Sequence, residues 1–322
     1  MSKQVLVYGW YNHGNVGDDL FPYAFRKLFP EYQFSFCDQL TRENIEKSDA
    51  IVFGGGSFLD QEISIDTYYD DVLPLDKTIL YVGVGCETDI CAQHRELLKR
   101  AQLIATRTFN IFNAQCANTI YIPDLVYALN DDTQHLAKDE KTILVLPNCG
   151  VIPTWNNPMW KHTAWEQFKV EFAQVLEHFY ALGYRIDFYP MCHNPQESDQ
   201  LAAMELLGKT SQRNLTGLLP HQTANIGSIT QLFSSYELII TQRYHGAILA
   251  EMARTKYLSI WHHNKLKSSF CREGYYSPYY GFNKDSCITA LEQLEKQKLS
   301  PNLSLGSHSF KELQERMRSI ID

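Results

Sequence analysis

A chain of 322 residues, 44% hydrophobic and 20% charged, is long enough for two ordinary domains and excludes a disordered protein. A formal net charge of -8 argues against nucleic acid or an anionic membrane as the main partner. No apolar run approaches the ~20 residues that span a bilayer. The opening Met1-Ser2-Lys3-Gln4 leads straight into a strand, so no secretory leader is expected. Eight cysteines without a Cys-x-x-Cys pair read as free thiols of a reducing cytoplasm.

The first strand, Val5-Leu6-Val7-Tyr8, runs into a turn, residues 9–19, that contains Gly9, Gly14 and Gly17. Glycine and asparagine there allow positive φ and close backbone approach, while Asn12, His13, Asn15, Asp18 and Asp19 crowd one rim. Asp18 or Asp19 is expected to cap the following helix, with Pro22 tolerated in its first turn. Strands follow at residues 33–37, 49–53, 78–84, 103–105 and 120–122. A helix opens at Thr41, in a loose capping box with Asn44, and another spans residues 92–101. Gly54-Gly55-Gly56, Arg107 and Asp124 all fall at carboxyl ends of strands, where open α/β sheets bind ligands. Short strands alternating with helices predict parallel sheets covered on both faces.

A polar stretch, residues 130–141, reads as the domain boundary, and residues 142–146 start a second unit. Residues 148–161 read as a loop whose Trp155 either stacks on a sugar or plugs the domain edge. Trp165, Phe168, Phe172, Val175, Leu176 and Phe179 recur at three- and four-residue spacing, the core face of a helix ending at Gly183. A strand at 185–189 and a turn at 190–195 precede a helix expected to begin at Pro195. Residues 224–235 are helical in pattern. Glu237-Leu238-Ile239-Ile240 is then a buried strand, and Ala247 to Met252 favour helix. Between them, Arg243 presents a planar fork for carboxylate or phosphate, and His245 can transfer a proton near neutral pH. The alternative is an arginine paired with a carboxylate and a histidine satisfied by the backbone. A last main strand (257–261), an irregular aromatic segment (275–282) and a terminal helix (310–320) complete the pattern. The adjacent pairs His262-His263 and Cys192-His193 do not converge as metal ligands do, so no metal site is expected. Cys149, Cys192 and Cys271 read as buried or idle thiols.

This organisation is α/β: two Rossmann-like domains facing a cleft, as in the GT-B class. Residues 1–135 are expected to form the N-terminal domain and residues 140–300 the C-terminal domain, with residues 301–322 a closing helix.

Several motifs together resemble the polysaccharide pyruvyl transferase family, over most of the chain. They are the Gly-x-x-x-x-Gly-Asn-x-Gly-Asp loop of residues 9–18, Gly54-Gly55-Gly56, Thr106-Arg107, Pro123-Asp124 and Thr241-x-Arg243-x-His245. A lysine trailing the last main strand, Lys265, also fits; Tyr244 and His262-His263 depart from the common pattern. The resemblance implies transfer of pyruvate from phosphoenolpyruvate to two hydroxyls of one sugar, forming a cyclic ketal on a surface glycan or its precursor. By analogy Arg243 and His245 bind the donor, with Tyr244 between them counted in the same donor site; Arg107 and Lys265 are added as strand-end cations. His245, Asp18 and His13 are the candidates for proton transfer. Asn12, Asn15, Asp19, Gly55, Gly56 and Trp155 are the candidates for the acceptor. Phosphoenolpyruvate is a co-substrate and no other cofactor is expected. The acceptor is a glycan or a lipid-linked sugar, and a peripheral visit to a membrane is compatible with a cytoplasmic chain. Two rivals remain open: a GT-B glycosyltransferase using a nucleotide sugar, and a non-catalytic glycan-binding relative.

Overall fold

The computed structural model describes residues 2–57, 59, 76–86, 90–108, 118–148, 158–195, 198–211, 216–221, 224–260, 282–296 and 307–322. The chain divides into two compact units. The first comprises Met1–Asn12, Asp18–Asp131 and Asn302–Asp322; the second comprises His13–Gly17 and Asp132–Pro301.

The first unit is built on β1 (Gln4–Tyr8), α1 (Val16–Leu28), β2 (Gln33–Cys37), α2 (Arg42–Glu46), β3 (Ala50–Gly54) and β4 (Thr78–Val84). It continues through α3 (Ala92–Leu98), β5 (Leu103–Thr106), β6 (Thr119–Tyr121) and a 3-10 helix (Leu125–Asp132). Its strands pair in the order β2-β1-β3-β4-β5-β6, all parallel. Every residue of β3 is buried, the unbroken apolar run that a parallel strand covered on both faces requires. In α1, Leu20, Ala24 and Leu28 follow at four-residue spacing, as do Phe21 and Phe25, and all are buried.

The second unit contains β7 (Thr142–Leu146), α4 (Pro158–Ala181), β8 (Arg185–Phe188), α5 (Asp199–Gly208), β9 (Thr216–Leu218) and α6 (Ile226–Ser234). It ends with β10 (Leu238–Thr241), α7 (Tyr244–Met252), β11 (Lys256–Ser259) and α8 (Lys284–Lys296). Helix α9 (Ser307–Ile321) returns to the first unit. The second sheet runs β11-β10-β7-β8-β9, again all parallel. The aromatic stripe of α4 lies in the core with Ile143, Val145, Ile186 and Ile240 of the sheet. In each sheet the first strand sits inside, with later strands added on both sides. The direction of winding therefore reverses between β1 and β3, and between β7 and β10.

Four local expectations are corrected. Helix α1 begins at Val16, because the Asn15 side chain accepts from Gly17 N (3.2 Å) and takes the capping position. Asp18 and Asp19 are thus first-turn residues rather than caps, and Pro22 lies beyond the first turn, where it removes one helical donor. Helix α5 starts at Asp199 rather than Pro195, since Ser198 accepts from Leu201 N and caps it. Residues 158–161 are the first turn of α4, for which the fixed φ of Pro158 is suited. The short strand β9 and the 3-10 helix carry no periodicity of their own and went unread. The capping box at Thr41 is complete: Thr41 N donates to Asn44 Oδ1 (2.9 Å), and Asn44 N to Thr41 Oγ1 (3.2 Å).

Candidate active site

In the second unit, β7 and β10 lie side by side with both carboxyl ends at the reversal of winding. Beyond the strands Gln242 N donates to Leu146 O (3.0 Å), and Gln242 Oε1 accepts from Asn148 N (3.2 Å). These bonds hold the two strand ends together just where Arg243 emerges. Thr241 Oγ1 accepts from Arg243 N (3.0 Å) and donates to Arg243 O (2.9 Å), clamping the turn. Arg243 then occupies the capping position of α7 in extended conformation (φ -100°, ψ 134°). Tyr244 and His245 form the first turn of that helix, both buried, their rings edge to face at 5.3 Å. A helix amino terminus at a strand end favours anions through its N–H groups and dipole.

The Arg243 guanidinium meets Asp199, a wholly buried carboxylate at the start of α5. Its Nε lies 3.1 Å from both Asp199 oxygens, and a terminal nitrogen contacts Oδ1. Asp199 Oδ2 also accepts from Met191 N (3.0 Å) and Cys192 N (2.9 Å). Burial pushes the Asp199 carboxyl up to about 6, against the opposing pull of Arg243 and the two amides.

The same segment receives the glycine-rich turn. Val16 N donates to Met191 O (2.9 Å), His193 N to Gly14 O (2.9 Å), and Asn15 bridges Cys192 in antiparallel fashion. Gly17 follows, buried flat against His245; a β-carbon there would overlap the imidazole. Gly17 therefore serves close approach rather than an unusual φ. Beside this strap the His193 and His221 rings lie 4.1 Å apart, at the ends of β8 and β9. His221 Nδ1 faces Pro190 O (3.1 Å) and so donates to it, and burial lowers its pKa.

In the first unit the corresponding reversal, between β1 and β3, holds a compact turn. Tyr11 is buried and its hydroxyl donates to Gly54 O. Burial raises the Tyr11 pKa well above the ordinary value, with a smaller push from Asp18. Asn12 is exposed at positive φ (63°), and its N–H donates to Asp19 Oδ1 (2.6 Å). Gly55 also has positive φ (76°), and a β-carbon there would come within 2.6 Å of the Phe21 ring. Packing against Phe21 thus accounts for this glycine without a ligand, and the Gly56 carbonyl accepts from Gly85 N (2.9 Å).

Arg107 is also in the first unit, buried, and ion-paired with the buried Asp124. Its second terminal nitrogen donates to Ser57 Oγ (2.9 Å), and Asp124 Oδ1 accepts from Val126 N (3.0 Å).

The structure therefore brings Arg243, Tyr244 and His245 together with Asn15 and Gly17 and the rest of the segment His13–Gly17 in one unit. It places Asn12, Asp18, Asp19, Gly55, Gly56 and Arg107 in the other. Lys265, Trp155, His262, His263, Cys149 and Cys271 lie outside the described residues. Cys192 is buried and is not part of a disulfide. Sequence reasoning missed Asp199 and His221. The signal available for Asp199 was the Ser-Asp pair opening a helix just beyond a strand end.

The model of the family described as polysaccharide pyruvyl transferase matches residues 15–264, ending one residue before Lys265. No relative matches among curated protein sequences. Among solved structures, the S. aureus MnaA–UDP co-structure superposes with a TM-score of 0.64 at 11% identity, covering 98% of this chain and 96% of that one. The Methanocaldococcus jannaschii UDP-GlcNAc 2-epimerase in complex with UDP-GlcNAc and UDP gives 0.64 at 12% identity, covering 98% and 99%. The UDP-N-acetylglucosamine 2-epimerase from Rickettsia bellii gives 0.64 at 11% identity, covering 100% and 97%. At such identities the likeness concerns the fold, which is the α/β GT-B fold expected from the strand pattern. The family match spans the glycine-rich turn from Asn15, the Arg107 and Asp124 strand ends, and the Arg243-x-His245 turn, and the chain belongs to the polysaccharide pyruvyl transferase family.

Proposed function

We propose that the chain transfers a pyruvyl group from phosphoenolpyruvate to two hydroxyls of one sugar residue, forming a cyclic ketal on a surface glycan or its precursor. The observation that carries this reading is the Arg243 fork beside His245 at the winding reversal of the second sheet, inside the matched region. Phosphoenolpyruvate bears its carboxylate and its phosphate on the same carbon, so its site needs a fixed cation and directed N–H groups. Arg243 and the first turn of α7 supply both kinds. Lys265 is assigned as a second cation; Arg107 joins only at the cost of its pair with Asp124.

The chemistry is acid–base. A proton added to the donor's methylene carbon leaves a cation at the middle carbon, stabilised by the bridging oxygen. One sugar hydroxyl adds to that carbon and gives up its proton. The second hydroxyl then attacks the same carbon and gives up its proton as the bond to the phosphate oxygen breaks, so that inorganic phosphate leaves and the ketal ring closes. His245 moves one of these protons or steadies the departing phosphate. The sugar is assigned to Asn12, Asn15, Asp19 and Trp155, with His13 or Asp18 as the base. Neither a metal nor a redox cofactor is required by this sequence of steps. Among the described residues no helix is long and apolar enough to cross a membrane.

The test is phosphate release from phosphoenolpyruvate in the presence of candidate glycans, with the ketal identified by mass spectrometry. His245→Ala is expected to abolish it while circular dichroism stays unchanged; surviving turnover would overturn the assignment. A nucleotide-sugar donor is the second reading, favoured by the UDP ligands in structures of the same fold. It requires UDP or UDP-GlcNAc, rather than phosphoenolpyruvate, to raise the melting temperature. Glycan binding without phosphate release under any donor would instead mark a non-catalytic relative.

A further inference from the structure

We infer that Asp199 is the positioning residue of this site, a single carboxylate that fixes both the Arg243 fork and the strap flanking His245. It is wholly buried at the start of α5, 44 residues before Arg243 in sequence. Both of its oxygens face the guanidinium, with Nε at 3.1 Å from each. One of them also takes the N–H groups of Met191 and Cys192, at 3.0 and 2.9 Å. Those two residues hold the glycine-rich turn in turn: Met191 O accepts from Val16 N, and Cys192 bridges Asn15. Gly17, the next residue along, lies against the His245 ring. One side chain therefore links the arginine to the backbone that packs on the histidine.

Burying a carboxylate is costly, and well-packed apolar side chains often stabilise a core equally well. What a carboxylate adds here is direction. An arginine side chain has many rotamers, and a bidentate partner selects one. The inference rests on Arg243 as a donor-binding residue, and Asp199 itself is not assigned to touch substrate. Arg243 contacts that persist from bound substrate to transition state affect KM, so loss of their orientation raises KM and spares kcat.

The experiment compares the full-length chain with Asp199→Asn, by steady-state kinetics on phosphoenolpyruvate and by NMR of a [15N]arginine-labelled sample. Arg243→Lys identifies the Arg243 Nε–H resonance by its loss. The expected result is a KM for phosphoenolpyruvate raised about tenfold or more, with kcat within about threefold. The slowly exchanging Arg243 Nε–H signal should vanish from an otherwise folded spectrum. Retention of that signal with an unchanged KM would overturn the inference. If Asp199→Asn does not fold, Asp199→Glu decides. It keeps the charge, and the Arg243 signal must then shift and KM rise; an unmoved signal and KM again reject the role. A wild-type chain inert toward phosphoenolpyruvate would sink the proposed reaction, while the Arg243 spectrum would still decide the role of Asp199.

Discussion

Two arginines emerge at strand ends, and each is met by a wholly buried aspartate side chain: Arg107 by Asp124 and Arg243 by Asp199. The pairs differ in what surrounds them. The Arg107 side chain is 4% exposed and shares its fork with Ser57, so its site is closed with protein groups. The Arg243 side chain is 12% exposed and stands at the head of a helix beside a histidine. Removing Arg107 strands a buried carboxylate, and Arg107→Ala is expected to cost about 3–5 kcal/mol in urea unfolding. A loss below 1 kcal/mol would show that Asp124 finds another partner. Gly17 makes the opposite kind of test. A methyl group there displaces the His245 ring without burying a charge. Since misplacing a reacting group by about 1 Å can cost about 100-fold, Gly17→Ala should lower kcat on that scale. Its melting temperature should fall far less than that of Arg107→Ala, which thermal denaturation of the two variants checks directly.

At the scale of elements, helix α4 is the main support of the second sheet. Its stripe from Trp165 to Phe179 packs on Ile143, Val145, Ile186 and Ile240, and Phe282, Cys287 and Leu291 join the same core. Phe172→Ala is expected to destabilise by about 3–5 kcal/mol, measured by chemical denaturation. Helix α9 illustrates a second kind of attachment. Phe310, Leu313, Met317 and Ile321 are buried, and Gln314 Nε2 donates to Leu28 O (2.6 Å). Arg318 adds an ion pair to Glu31. Partial burial, the largest single effect, raises the Glu31 carboxyl, but the Arg318 hydrogen bond, a backbone hydrogen bond and the Arg318 charge together outweigh it and the pKa is lowered. A lowered carboxylate pKa stabilises the fold above the unfolded value, and that contribution is lost as pH falls through the folded one. Being a surface pair, it contributes little. Glu31→Gln should therefore lower the urea midpoint slightly at pH 7 and not at pH 3. An equal difference at both pH values would count against the pair.

For the whole molecule, the proposed reaction makes a thermodynamic demand. A ligand that binds only the folded chain stabilises it by about 2.7 kcal/mol at 100 times its Kd. Phosphoenolpyruvate should raise the melting temperature by several degrees, and Arg243→Ala should remove most of that rise. A flat response of the wild-type chain, with a rise on adding UDP-GlcNAc, would transfer the case to a nucleotide-sugar donor.

Much of this architecture was legible before any coordinates, for reasons specific to its elements. Strands β3, β7 and β10 are covered on both faces, so each reads as an uninterrupted apolar run. The α4 stripe is visible because helical spacing imprints itself on the residues that pack. Arg243 and His245 stand out because a strand, a turn and a helix follow one another within a few residues. Local order of this kind is written in the chain. Asp199 left only a weak mark, because an acidic residue after a serine at a helix start is ordinary, and its partner lies 44 residues away. Pairing of β9, the closeness of His193 to His221, and the reason for Gly17 were hidden in the same way. Each depends on which strands become neighbours. The amino-acid pattern by itself determined most of the strands and helices, and which charged residues fall at strand ends, since burial and periodicity act over a few residues. Only the tertiary structure decided which aspartate each arginine faces and which glycine faces the histidine. Those contacts join distant segments, and the sheet order that brings them together is not a property of any one of them.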